Sequence, residues 1–126
     1  MSNTTPLHRV EIALHGLRTV PGDNAREHWA LKAKRAQEHR KLVTAALRMT
    51  EYARLDRTHG LRVTFIRRGP RMLDDDNLAG SFKHIRDGIA AVIGVDDGKP
   101  FWTWVYRQDK GTYGVEIIIE SREEGA

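Results

Sequence analysis

The stretch from Arg71 to Asp97 constrains this 126-residue chain more than any other. Three consecutive carboxylates, Asp74, Asp75 and Asp76, precede an apolar-periodic run, and Asp96 and Asp97 follow it. Leu78, Phe82, Ile85, Ile89 and Val92 recur at helical spacing, which predicts a single helix with one apolar stripe. Asp75 or Asp76 is expected to cap its start, where bare N–H groups favour negative charge, and Gly94 to end it. At about 100° per residue, Asp76, Gly80, Lys83 and Asp87 share the opposite face, with Gly80 leaving room for something to approach.

Carboxylates this close repel one another and raise each other's pKa unless a cation neutralises them. Hard divalent ions such as Mg²⁺ or Mn²⁺ prefer oxygen donors, and they commonly take one or two carboxylates together with water and phosphate. Each piece also has an ordinary explanation. Asp-Asp-Asp-Asn is a common loop and N-cap, Asp96-Asp97-Gly98 a common turn, and Lys83 with Asp87 a solvated i, i+4 pair. An EF-hand is excluded, because Ala79 and Ile85 stand where its glycine and closing glutamate belong.

The remaining chain predicts a scaffold for this segment. Val10, Ile12 and Leu14 alternate with Arg9, Glu11 and Ala13 as a first strand. A loop through Pro21-Gly22-Asp23-Asn24 leads to the longest helical candidate, Ala25 to about Tyr52, rich in basic residues that include Lys32. Leu61, Val63 and Phe65 form a second strand ending near Arg67. Trp102, Trp104 and Tyr106 give a third strand with one aromatic face, expected to pack in a core or dimer interface rather than stack on bases. Asp109-Lys110-Gly111 reads as a hairpin turn before a buried last strand, Val115 to Ile119. The expected fold is α+β: one domain over 7–120, in which a mixed sheet of about four strands packs with two helices in the order β-α-β-α-β-β. Residues 1–6 and 121–126 are expected to be disordered tails.

Composition narrows the function classes. The absence of cysteine excludes disulfides and thiolate zinc sites, and the six histidines lack the spacing of a helical zinc pair. No apolar run approaches membrane-spanning length and no signal-peptide core is evident, so a cytoplasmic, membrane-free setting is expected. A net charge of +4 favours an anionic partner.

Asp74-Asp75-Asp76-Asn77-Leu78, Lys83 and Asp87 on one helix, and Val95-Asp96-Asp97 together resemble the RusA family of Holliday-junction resolvases. That family pattern is Asp-any-Asp-Asn-Leu, a helix lysine, an aspartate four residues later, and an Asp-Asp pair. The resemblance extends over most of the chain, but its specific part lies within 71–97. It departs from the family at Gly80, where the best-known member has its lysine, as though about three residues were inserted before Lys83.

The resemblance implies a small homodimeric endonuclease, common in phages and prophages, that uses Mg²⁺ or Mn²⁺ to cut four-way or branched DNA in a bacterial cell or its nucleoid. It implies Asp74, Asp76 and Asp97 as metal ligands and catalytic residues, with Lys83 steadying charge. Asp87, Asp96 and Asn77 would support them. Arg67, Arg68 and Arg71 are expected beside the acids as phosphate contacts, guanidinium being well shaped for that anion, or as neutralising partners. Asn24, Arg26 and Lys32 are expected to touch DNA as well. A branched-DNA-binding protein of the same fold that has lost cleavage is the alternative, suggested by Gly80. A nucleotide enzyme using Asp-any-Asp as a phosphate clamp is less supported, since no Gly-rich phosphate loop accompanies the acids.

Overall fold

The computed structural model describes residues 6–19 and 29–123. It has four strands, β1 (Arg9–His15), β2 (Leu61–Gly69), β3 (Trp102–Lys110) and β4 (Gly114–Ser121). Three α-helices accompany them: α1 (Trp29–Arg48), α2 (Asp75–Ser81) and α3 (Lys83–Ile93). The α+β class and the mixed four-stranded sheet are as expected. Among the described residues no helix is long and apolar enough to cross a membrane.

The sheet order is β1-β4-β2-β3, antiparallel except for the parallel pair β2 and β3. β2 is flanked on both sides, which explains its nearly unbroken burial from Val63 to Arg67. β1 lies at an edge and alternates, burying Val10 and Ile12 while exposing Arg9 and Glu11. The hairpin expected at Asp109-Lys110-Gly111 is not formed. A crossover through α2 and α3 lays β3 beside β2, so β4 has to take the other side of β2. Asp109 and Lys110 therefore belong to β3, and the bend after them steps across the end of β2, with Gly111 donating its N–H to Gly69 O at 3.0 Å.

The core lies on one face of the sheet. Phe65 stacks on Phe82, Trp104 and Tyr106 with ring centroids 4.7, 5.8 and 5.5 Å away. Trp102 stacks on Trp104 at 4.6 Å, so the aromatic face of β3 is committed to packing. Ile85, Ile89 and Ile93 of α3 bury against this layer together with Val63, Ile117 and Ile119. Helix α1 buries His39, Val43 and Leu47 and lies against α3. The approach is close at Gly88, where a Cβ would meet Val43 Cγ1 at 2.8 Å and Arg40 Cγ at 3.2 Å.

Two boundaries differ from expectation. The single helix from Asp75 to Gly94 is broken at Phe82 (φ −100, ψ 3). Gly80 is a weak helix former, and Ser81 Oγ donates to Leu78 O at 2.7 Å, competing for the backbone there. The projection that puts Asp76 and Gly80 on one face with Lys83 and Asp87 therefore does not run through one continuous helix. The supposed tail also starts later, because Ser121 pairs with Leu61 in the sheet and Arg122 donates to Phe101 O at 3.0 Å. Gly94 does terminate α3, at φ 88, where a side chain would be strained. The leading residues 1–5, the expected loop and helix start over 20–28, and residues 124–126 lie outside the described residues.

Candidate functional site

The acids are positioned from two directions. Asp74, not Asp75 or Asp76, is the N-cap of α2: its Oδ1 accepts the Asn77 N–H at 2.9 Å. Asp75 and Asp76 occupy the exposed first turn, where the helix dipole favours their charge. The residue before the cap is clamped. Gln108 donates from Nε2 to Leu73 O at 2.7 Å, and its Oε1 accepts the Leu73 N–H at 2.9 Å. The side-chain amide of Gln108 thus fixes the start of the acid segment to the end of β3.

The second acid segment is tied to the same strand. Trp102 Nε1 donates to Val95 O at 3.1 Å and Trp104 Nε1 to Asp97 O at 2.9 Å. Arg86 then bridges side chain to strand, donating from Nε to Asp97 Oδ2 at 3.1 Å and from Nη1 to the Tyr106 hydroxyl at 2.8 Å. Burial works against the charge on Arg86, yet Tyr106, Asp97 and Asp87 together hold its pKa above the ordinary value. Residues 102, 104, 106 and 108 alternate onto one face of β3, and successive members are about 7 Å apart. Both acid segments therefore meet the same strand face, one at Gln108 and the other at Trp104 and Tyr106.

Asp87, Asp96 and Asp97 also line a concavity of about 300 Å³ whose floor includes Ala90, Ala91 and Gly94. Lys83 is exposed at the start of α3, and Asp87 is half-buried one turn later. Among the described residues no ion pair joins these two.

The three arginines expected at the acids have different tasks. Arg67 is 5% exposed and braces the loop before the acids, donating from Nη1 to Arg71 O at 2.8 Å. Its guanidinium lies so close to Gly69 that a Cβ there would meet Nη2 at 2.8 Å. Arg68 pairs with Glu116, which holds the guanidinium pKa above and the carboxyl pKa below their ordinary values. Arg71 is exposed beside the acids. Lys32 is half-buried on α1, while Asn24 and Arg26 lie outside the described residues.

A hard divalent ion suits this donor set by its chemistry. All the donors are carboxylate oxygens; Asp75 and Asp76 are exposed, and Asp74 and Asp97 each keep one oxygen beyond the bonds named above. Among the described residues, however, no three acidic or histidine side chains are grouped closely enough to hold a metal by themselves. Mg²⁺ does not need such a cage, since it retains waters and completes its shell with substrate phosphate.

Gln108, Arg86, Tyr106 and the two indole donors are positioning groups that sequence reading missed. The period-2 aromatic pattern of β3 marked their face, but no spacing signals which backbone carbonyl an indole or amide will reach.

No protein-family model matches the chain. A protein of Xylella fastidiosa (strain Temecula1 / ATCC 700964), described as an uncharacterized protein, is 32% identical in an alignment of 104 positions that covers 76% of this chain. The chain spans about 65% of the length of that relative.

Proposed function

We propose that the protein is a Mg²⁺- or Mn²⁺-dependent endodeoxyribonuclease that resolves four-way and related branched DNA by symmetric phosphodiester hydrolysis, as RusA-like Holliday-junction resolvases do. The observation that supports this reading is the anchoring of two acid segments, far apart in sequence, to one face of β3, the first through Leu73 at Gln108 and the second through Asp97 at Trp104. Asp74, Asp76 and Asp97 would hold the ion. When bound, it would lower the pKa of a water and steady charge on the scissile phosphate.

The chain's own residues supply position and charge. Gln108 and Arg67 fix the approach to Asp74, and Trp104 fixes the backbone of Asp97, so the backbones that carry these carboxylates are pinned. Lys83 would steady negative charge developing on the phosphate, and Arg71 would hold a neighbouring phosphate. Asp87 and Asp96 would act as supporting carboxylates at the same hollow. A two-fold homodimer would present two such sites to opposed strands of a junction. Such an enzyme would work in the bacterial cytoplasm, on host or phage DNA.

The binding-only alternative is favoured by one observation, the Arg86 guanidinium already seated on Asp97. A junction assay with and without Mg²⁺ or Mn²⁺ separates the two. Paired nicks that require metal and disappear in Asp76→Asn, with junction binding retained, support the nuclease. Metal-independent junction binding with no nicking by the wild-type protein supports the alternative.

A further inference from the structure

The charge of this chain is unevenly placed. Helix α1 carries six basic residues against the single acid Glu38, leaving fifteen basic and sixteen acidic residues among the 21 and 17 of the whole chain. The basic character of the protein therefore resides in one helix. His39, Val43 and Leu47 turn one side of α1 inward. Lys34, Lys41 and Arg48 repeat every seven residues on the opposite side, all exposed. Lys41 and Arg48 also border an open, shallow depression of about 500 Å³ whose other lining residues are Gln37, Arg40, Thr44 and Ala45, with no acid in its lining. Cations interleaved with amide and hydroxyl groups are the side-chain types that bond phosphate oxygens along a nucleic-acid backbone.

Dimensions and surroundings favour a polymer over a small anion or a lipid surface. Lys34 to Arg48 spans about 21 Å at 1.5 Å per residue, the length of about six phosphates at 3.4 Å of rise along one strand. Of the large apolar residues exposed on or next to α1, Trp29 opens the helix, Leu31 and Leu42 lie three turns apart on the flank that carries Glu38, and Met49 follows its end, so no continuous membrane-facing stripe joins them.

We propose that the outer face of α1 is a sequence-independent track for the phosphate backbone of a duplex DNA arm, separate from the acid segments anchored to β3. The proposal rests on the nuclease reading for its substrate and adds which surface holds the arm beyond the point of cleavage. Each cation on such a track displaces counterions, so the slope of log affinity against log salt steepens by about 0.9 per phosphate contacted.

The test measures binding of a fluorescent duplex and of a four-way junction in EDTA between 50 and 200 mM salt. The triple variant Lys34→Gln/Lys41→Gln/Arg48→Gln is compared with a charge-matched control, Arg62→Gln/Lys99→Gln/Arg107→Gln, after circular dichroism confirms that both fold. The α1 variant is expected to lose about 2 to 3 units of salt slope and at least about tenfold in affinity at the lower salt, while the control stays near wild type. Equal behaviour of the two variants overturns the proposal, as does wild-type binding to anionic phosphatidylserine vesicles without binding to DNA. A lowered slope in the α1 variant, alongside a wild-type protein that never nicks junctions with Mg²⁺ or Mn²⁺, leaves the track standing and removes the nuclease reading instead.

Discussion

The acid-bearing face of β3 and the basic helix α1 are held by different physics. At the acid face, directional bonds set positions residue by residue: Gln108 on Leu73, Arg67 on Arg71, Trp102 on Val95, Trp104 on Asp97. Helix α1 is docked through His39, Val43 and Leu47 and the close approach at Gly88. The contrast teaches where precision is needed. On the proposed nuclease reading, carboxylates sharing a cation and a phosphate would have to be placed to within a fraction of an ångström, whereas cations that only supply a field could stay on flexible stems in water.

The sharpest way to break this contrast is to hollow out the layer beneath the acid face. Phe65→Ala removes the ring on which Phe82, Trp104 and Tyr106 stack and is expected to cost about 3–5 kcal/mol, read as a lowered urea midpoint. Gln108→Leu leaves the N–H and C=O of Leu73 without their side-chain partner and should cost about 1–3 kcal/mol. Its amide shifts should change around Leu73 to Asn77 and not along α1.

Gly88→Ala tests the other region. The new Cβ crowds Val43 and Arg40, and overpacking of about 1–3 kcal/mol is partly offset by about 1 kcal/mol of helix propensity. Hydrogen exchange is expected to quicken along α1 more than in β2; equal loss of protection in both would mean that α1 is no separate unit.

A milder lever on the same contact is pH. Burial lowers the pKa of His39, with His84 adding to the effect, and burial also lowers that of His84, whose Nδ1 is buried without a partner. The unfolded chain then binds more protons than the folded one below the ordinary histidine range, so stability falls as pH drops through about 6.5 toward the depressed folded values. Denaturant melts at pH 7.5 and 5.5 should show this, and the difference should shrink in His39→Gln. The smallest effect belongs to Arg68→Ala, which removes a solvent-screened pair with Glu116 and should leave the urea midpoint close to wild type.

Much of the scaffold was legible in the sequence because periodicity reports burial. The alternation of β1, the stripe of Ile85 and Ile89, and the stop at Gly94 all follow from which atoms avoid water and which backbone angles glycine allows. The strand order was not legible, because the pattern of β4 is the same whether it pairs with β3 or crosses to the far side of β2. The break at Phe82 was hidden by a hydrophobic stripe that continues through it. At the site, the acids themselves could be picked out as a charge cluster. Their supports could not: Gln108 and Arg86 look like ordinary polar residues until the parallel pairing of β2 and β3 brings them to Leu73 and Asp97.

The meeting of the two acid segments around a common cation is tested most directly by Mn²⁺ titration of the isotope-labelled protein bound to a four-way junction, following paramagnetic broadening of backbone amide signals. The amides of Asp75 to Leu78 and of Asp97 to Gly98 are expected to broaden together at the same Mn²⁺ concentration, and both effects should vanish in Asp76→Asn. Broadening of one segment without the other, or of neither, contradicts the account.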